Sequence, residues 1–149
     1  MSPFRHVLVA TDFSECSKVA LDTAIELARR YSAALTLVHV FAIPVYPYMD
    51  IVPMAVDIET PAREAASEEL QKALTTARSQ LPSAVAVLKQ GGAVWEQILA
   101  TARGVGADLI VLGTHGRTGV SHALIGSVAE RVVRHSPVPV LTVCRPKEG

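Results

Sequence analysis

Near the end of the 149-residue chain, Gly113-Thr114-His115-Gly116 and Gly126-Ser127 hold the spacing best suited to chemistry. The first group follows an apolar run, and the second opens a predicted helix. Glycine lets the backbone take positive φ and come close to a ligand. Free N–H groups at a helix start, with the dipole behind them, attract an anion. Ser127 adds a hydroxyl at the same place. Together these residues form a candidate phosphate cradle, with the number of phosphates left open. Glycines in such a loop also serve simply as turn formers, so both readings stand on the residues alone.

The elements that must position this loop alternate strand and helix, which implies a parallel sheet. His6 to Ala10 reads as a strand buried on both faces. Ser14 is placed to cap a helix whose apolar face carries Ala20, Ala24, Leu27, Ala28 and Tyr31. Ala34 to Phe41 is a second buried strand. Ala42 to Glu59 breaks the pattern with Pro44, Pro47 and Pro53 and reads as a long, candidate functional loop. Thr60-Pro61 then reads as an N-cap and first helical position, followed by Ala62, Ala66, Leu70, Ala73, Ala77 and Leu81 on one face, with Pro82 as the stop. Ser83 to Lys89 is the third strand, after which Gly91-Gly92 turns the chain. Val94, Ile98, Leu99 and Ala102 mark a helix ending near Gly104 and Gly106. Asp108 to Leu112 is the fourth strand, Gly126 to His135 includes a short helix, and Val138 to Val143 is the fifth strand.

This succession predicts one α/β domain over residues 1–149, a doubly wound five-stranded parallel sheet of flavodoxin-like or Rossmann-like type. The expected strand order is 3-2-1-4-5. Pro139 supports part of it, because proline cannot donate to a ladder and belongs on an edge strand. Val138, Val140, Leu141 and Val143 are too apolar for an edge left bare, so a homodimer through this strand is expected; the chain's own loops or tail are the alternative cover. Ligands of such sheets collect where the strand order reverses. That point brings Ala10-Thr11-Asp12 beside Gly113 to Gly116.

Lysine plus arginine equals aspartate plus glutamate, giving zero net charge. No global basic field exists to hold nucleic acid or an anionic membrane. No apolar run reaches membrane-helix length, and the first residues lack the pattern of a secretory signal. Cys16 and Cys144 form no CxxC pair, and a reduced, cytoplasmic location is the expectation.

Gly113-Thr114-His115-Gly116, then residues 117 to 125, then Gly126-Ser127 meet every fixed position of G-x2-G-x9-G-[S/T]. This segment closely resembles the nucleotide motif of universal stress proteins. The resemblance extends to Val9-Ala10-Thr11-Asp12-Phe13-Ser14, to Leu37-Val38-His39-Val40 and to Ser136-Pro137-Val138-Pro139-Val140-Leu141. It therefore spans the chain and implies the ATP-binding branch, with an adenine nucleotide alpha hydrolase-like fold. It further implies adenine against the backbone near Val40, ribose at Asp12 and Gly113, and phosphates at Gly116, Gly126, Ser127 and Val128. Ala10 and Thr11 line the wall. The family also pairs through its last strand. Nothing in the resemblance reaches residues 42–59.

Single residues carry competing readings. Asp12 either accepts from ribose hydroxyls or caps the following helix, a task Ser14 can also perform. Arg117 either balances phosphate charge or is a solvated loop arginine. His115 and His122 read as surface residues, His39 as a hydrogen-bonded core histidine and Trp95 as core. Asp108 lies at the wrong end of the sheet for the site, and Cys16 reads as a small apolar filler.

The chain has no G-x4-G-K-[ST] P-loop, kinase signature, G-x-S-x-G elbow or Cys/His zinc pattern. The expectation is a nucleotide-dependent stress-response sensor or signalling module that binds ATP, with Mg2+ held through the phosphates. Slow ATP hydrolysis or autophosphorylation at the same site is one alternative, and a nucleotide-free interaction protein is another.

Overall fold

A computed structural model describes residues 3–43, 57–115 and 125–143. The chain forms β1 (His6–Ala10), α1 (Glu15–Tyr31), β2 (Ala34–Phe41), α2 (Glu59–Arg78), β3 (Val85–Gln90), α3 (Val94–Val105), β4 (Leu109–Gly113), α4 (Ser127–His135) and β5 (Val140–Val143). All strand pairs are parallel, in the order β3-β2-β1-β4-β5. This is the expected architecture.

Alternation of side chains explains why the strands read as unbroken apolar runs. Val7, Val9, Leu35, Leu37, Leu109 and Val111 join one core with Ala24, Ile25 and Ala28 of α1 and Leu70, Leu74 and Ala77 of α2. Leu8, Val38, Ile110 and Leu112 join the other, with Ile98, Leu99 and Ala102 of α3 and Ala129 and Val132 of α4. Successive strand residues face opposite sides, and helices cover both sides, so neither set can be polar. Each fully buried Leu, Ile or Val contributes about 1.5–3 kcal/mol relative to exposure.

Helix α1 starts as expected: the Ser14 Oγ accepts from the Ser17 N–H at 3.2 Å. It ends at Ser32, in the left-handed region at φ 54°. Helix α2 corrects the expected start. It begins at Glu59, and the Asp57 Oδ1, not Thr60, accepts the first amides, from Glu59 N and Thr60 N at 3.1 Å each. Pro61 therefore occupies the third helical position, where its missing N–H costs nothing because the first amides lack intrahelical acceptors. The helix ends at Arg78, ahead of Pro82.

Strand β5 begins at Val140 rather than Val138. The Ser136 Oγ accepts from Val138 N at 3.1 Å and donates to Val138 O at 2.7 Å, which folds the approach into a turn. Pro139 joins the sheet only through its carbonyl, which accepts from Ile110 N at 3.0 Å. The strand is an edge within the chain, and Leu141 stays 38% exposed. β3 and β4 each begin and end slightly later than the sequence suggests.

At the amino end of the sheet, the Asp108 carboxylate accepts from Arg5 N and His6 N at 2.9–3.1 Å, tying the start of β1 to β4. Among the described residues, no helix is long and apolar enough to cross a membrane.

Candidate functional site

Where β1 and β4 lie side by side, their connections leave in opposite directions along the sheet. A cavity of about 310 Å³ opens at their carboxyl ends. Ala10, Thr11, Asp12, Val40, Gly113, Gly126, Ser127 and Val128 all line it. Sequence positions more than 100 apart thus meet in one place, as the switch-point rule requires. Gly116 and Arg117 lie outside the described residues, as do His122 and most of the 42–59 loop.

The β1–α1 connection is held by its own side chains. Thr11 is buried; its N–H donates to Val38 O at 2.9 Å, and its Oγ1 accepts from Phe13 N at 3.1 Å. The Thr11 carbonyl pairs with His39 Nδ1 at 2.7 Å. A carbonyl only accepts, so Nδ1 of His39 carries the proton. His39 is thus the hydrogen-bonded histidine expected, and its ring packs on Phe13 with centroids 4.3 Å apart. Phe13 sits at φ 66°, an uncommon conformation for a bulky residue, which makes the sharp turn after Asp12.

Asp12 answers to both sequence readings. Its Oδ1 accepts from Ser14 N and from Ser17 Oγ, each at 3.0 Å, so it supports the start of α1. It also lines the cavity. Burial pushes its pKa up, but the hydrogen bonds from Ser14 and Ser17 outweigh burial and leave it below the ordinary value. At neutral pH the cavity therefore holds a carboxylate with acceptor capacity for hydroxyl donors.

Two of the lining residues are glycine for steric reasons. A Cβ on Gly113 would lie 2.9 Å from Cys16 Cβ. One on Gly126 would lie 2.9 Å from Thr114 O. Cys16 thus packs against the backbone of β4. Gly126 is the N-cap of α4 and supplies no side-chain acceptor to its first amides. Those of Ser127, Val128 and Ala129 have no acceptor within the helix. The arrangement suits an anion.

Sequence reasoning missed several wall residues. Val94 and Ile98 of α3, with Val38 and Leu112, give the cavity an apolar side. Periodicity marked them only as core, because a helix face that covers a sheet and one that lines a pocket have the same spacing. His115 also lines the cavity rather than standing at the surface. Its Nδ1 lies 3.0 Å from Thr114 Oγ1, and its Nε2 is covered with no hydrogen-bond partner. Trp95 is half-buried, stacked on His135 at 4.7 Å.

An open parallel sheet in the order β3-β2-β1-β4-β5, with helices on both faces and a cavity at its switch point, defines a doubly wound α/β protein. Residues 3–143 match the profile of the Universal stress protein family. A universal stress protein of Methanocaldococcus jannaschii is 32% identical over 97% of this chain and 85% of its own. The crystal structure of a universal stress protein family member from Burkholderia pseudomallei is 32% identical, with a TM-score of 0.73 over 96% of this chain and 98% of that one. A universal stress protein crystallised in complex with cAMP is 26% identical, with a TM-score of 0.67 over 95% of this chain and 97% of that one. The chain belongs to the universal stress protein family.

Proposed function

We propose that the cavity binds an adenine nucleotide, ATP by preference, and that the protein is a nucleotide-dependent module of the stress response. One observation carries the reading: Gly113 and Gly126 have no room for a side chain, and they stand at the carboxyl end of β4 and the start of α4, lining one cavity with Asp12. In this reading, the first turn of α4 holds phosphate, with Ser127 adding its hydroxyl. Asp12 accepts from the ribose. The base lies against Val40, Val38 and Ile98, where apolar walls favour a flat ring. The relative crystallised with cAMP supports adenine as the base.

Gly116 and Arg117 belong to the same proposal through the motif spacing, on the phosphate side. Magnesium arrives with ATP and is held through the phosphates. The proposed location is the cytoplasm, and the proposed assembly is a homodimer through β5. The function is binding, with the occupied surface read by other proteins.

The test is thermal unfolding of the full chain with and without ATP and Mg2+, beside a Gly126→Val, Ser127→Ala double variant. Ligand at 100 times its dissociation constant adds about 2.7 kcal/mol. For a chain of this size that is a rise on the order of 5–10 °C. The rise is expected in the wild type and absent in the variant. No rise in the wild type at millimolar ATP overturns the reading.

A further inference from the structure

We infer that Ser17 is a positioning residue of the cavity: its buried hydroxyl fixes the Asp12 carboxylate that accepts from the hydroxyl groups of a ligand. The inference deepens the nucleotide reading and rests on it.

Ser17 is the third residue of α1, is 3% exposed and lines the same cavity as Asp12. A glutamate at this helical position commonly reaches back to the amide of the N-cap residue. Here the roles are exchanged. The amide of the N-cap, Ser14 N, donates to Asp12 Oδ1 at 3.0 Å. The short Ser17 side chain donates to the same oxygen, also at 3.0 Å. The residue that caps the helix from outside is therefore the one that lines the cavity.

The protons run in one direction. Phe13 N–H donates to Thr11 Oγ1 at 3.1 Å, the Thr11 hydroxyl donates to Ser17 Oγ at 3.2 Å, and the Ser17 hydroxyl ends on the Asp12 carboxylate. Ser17 Oγ also lies 3.0 Å from Ser14 O, but the charged acceptor makes the stronger bond. A hydroxyl has one proton, so Ser17 has none left for a ligand and acts through Asp12. Successive bonds that point one way strengthen one another where water is excluded. The chain is anchored on β2: Thr11 N donates to Val38 O at 2.9 Å, and His39 Nδ1 donates to Thr11 O at 2.7 Å. Thr11 and Ser17 thus carry the placement of the carboxylate from β2 to the cavity. Removing the Ser17 hydroxyl cuts this path and takes the acceptor from the buried Thr11 hydroxyl.

A double-mutant cycle with two ligands separates positioning from general structure. Titration calorimetry with ADP and with 2′,3′-dideoxy-ADP, which lacks the ribose hydroxyls, is run on wild type, Ser17→Ala, Asp12→Asn and the double variant. The ligand-free unfolding temperature of each serves as the folding control. If Ser17→Ala does not fold, Thr11→Val takes its place, since it cuts the same path one step earlier and keeps the side-chain shape. Ser17→Ala is expected to weaken ADP by about fivefold and dideoxy-ADP by less than about twofold. In the Asp12→Asn background, Ser17→Ala is expected to change ADP affinity by less than about twofold, because the group it acts through is gone. Unchanged ADP affinity in Ser17→Ala, an equal loss for both ligands, or losses that add in the double variant overturn the inference alone. A wild type that binds the two ligands equally also overturns it and leaves the nucleotide site standing. A wild type that binds neither ligand overturns the nucleotide reading and the inference with it.

Discussion

The Gly126 amide donates to the Thr114 carbonyl across 2.5 Å, and a Cβ on Gly126 would fall 2.9 Å from that same oxygen. One contact thus joins the end of β4 to the start of α4 and leaves no space for a side chain. The clash is with backbone, which cannot rotate away. Gly126→Ala must therefore push α4 off Thr114. The expected cost is about 1–3 kcal/mol in urea unfolding. ADP affinity is expected to fall by about tenfold or more, because the α4 amides move with the helix. An alanine variant as stable and as tight-binding as wild type would show that the contact does not position the site.

Much of this geometry was legible beforehand, for identifiable reasons. Pro139 marked β5 as an edge because a missing N–H is a local chemical fact, and the sheet order agrees. The glycine spacing singled out Gly113 and Gly126, and both line the cavity, while Gly116 lies outside the described residues. The α2 start was misread: Thr60-Pro61 resembles a cap and first turn, yet Asp57 has the reach to take both first amides. His115 was unreadable in sequence because burial of one ring nitrogen depends on Thr114 and the cavity, not on spacing. The apolar wall from α3 was hidden inside a core pattern.

Asp108 gives a stability test remote from the cavity. Burial pushes its carboxyl up, but the amides of His6 and Arg5 outweigh burial and hold it below the ordinary value of 3.8. A carboxylate whose folded pKa lies below its unfolded pKa stabilises the fold above the unfolded value. That contribution disappears as pH falls from about 4 through the folded pKa. Asp108→Ala is expected to cost about 0.5–1.5 kcal/mol at pH 7, since the Arg5 amide is open to water and only the His6 amide is partly buried. The gap between wild type and variant should narrow below about pH 4 in urea unfolding. ADP affinity at pH 7 should not change. A gap that is constant from pH 7 to pH 2.5 contradicts the assignment.

Ser32 closes α1 at φ 54°, with its N–H directed to the Ala28 and Arg29 carbonyls. Its side chain is exposed and its conformation is one that glycine adopts without strain. Ser32→Gly is therefore expected to stabilise the protein by about 0.5–1 kcal/mol, less whatever the freer unfolded chain takes back. Urea midpoints of the two proteins decide it. A loss of stability would mean that the hydroxyl contributes more than the strain it accompanies.

The proposed dimer rests on β5, and one residue tests it. Val143 packs toward the α1 and α2 face, while Val138 and Val140 pack toward α3 and α4. Leu141 shares the face of Val143 but remains 38% exposed at the sheet edge. An exposed apolar edge invites pairing with another chain, and a lysine on the edge blocks it. Wild-type protein is expected to run as a dimer in light scattering coupled to size exclusion, and Leu141→Lys as a monomer with unchanged far-ultraviolet circular dichroism. The lysine stem can lie over the surface that the partly covered Leu141 packs on, with its ammonium at the open edge, so the fold of the single chain is expected to persist. A wild type that is monomeric at 100 micromolar (roughly the upper range for a specific interface of modest size) would overturn the dimer proposal. A dimeric Leu141→Lys variant would place the interface elsewhere than β5.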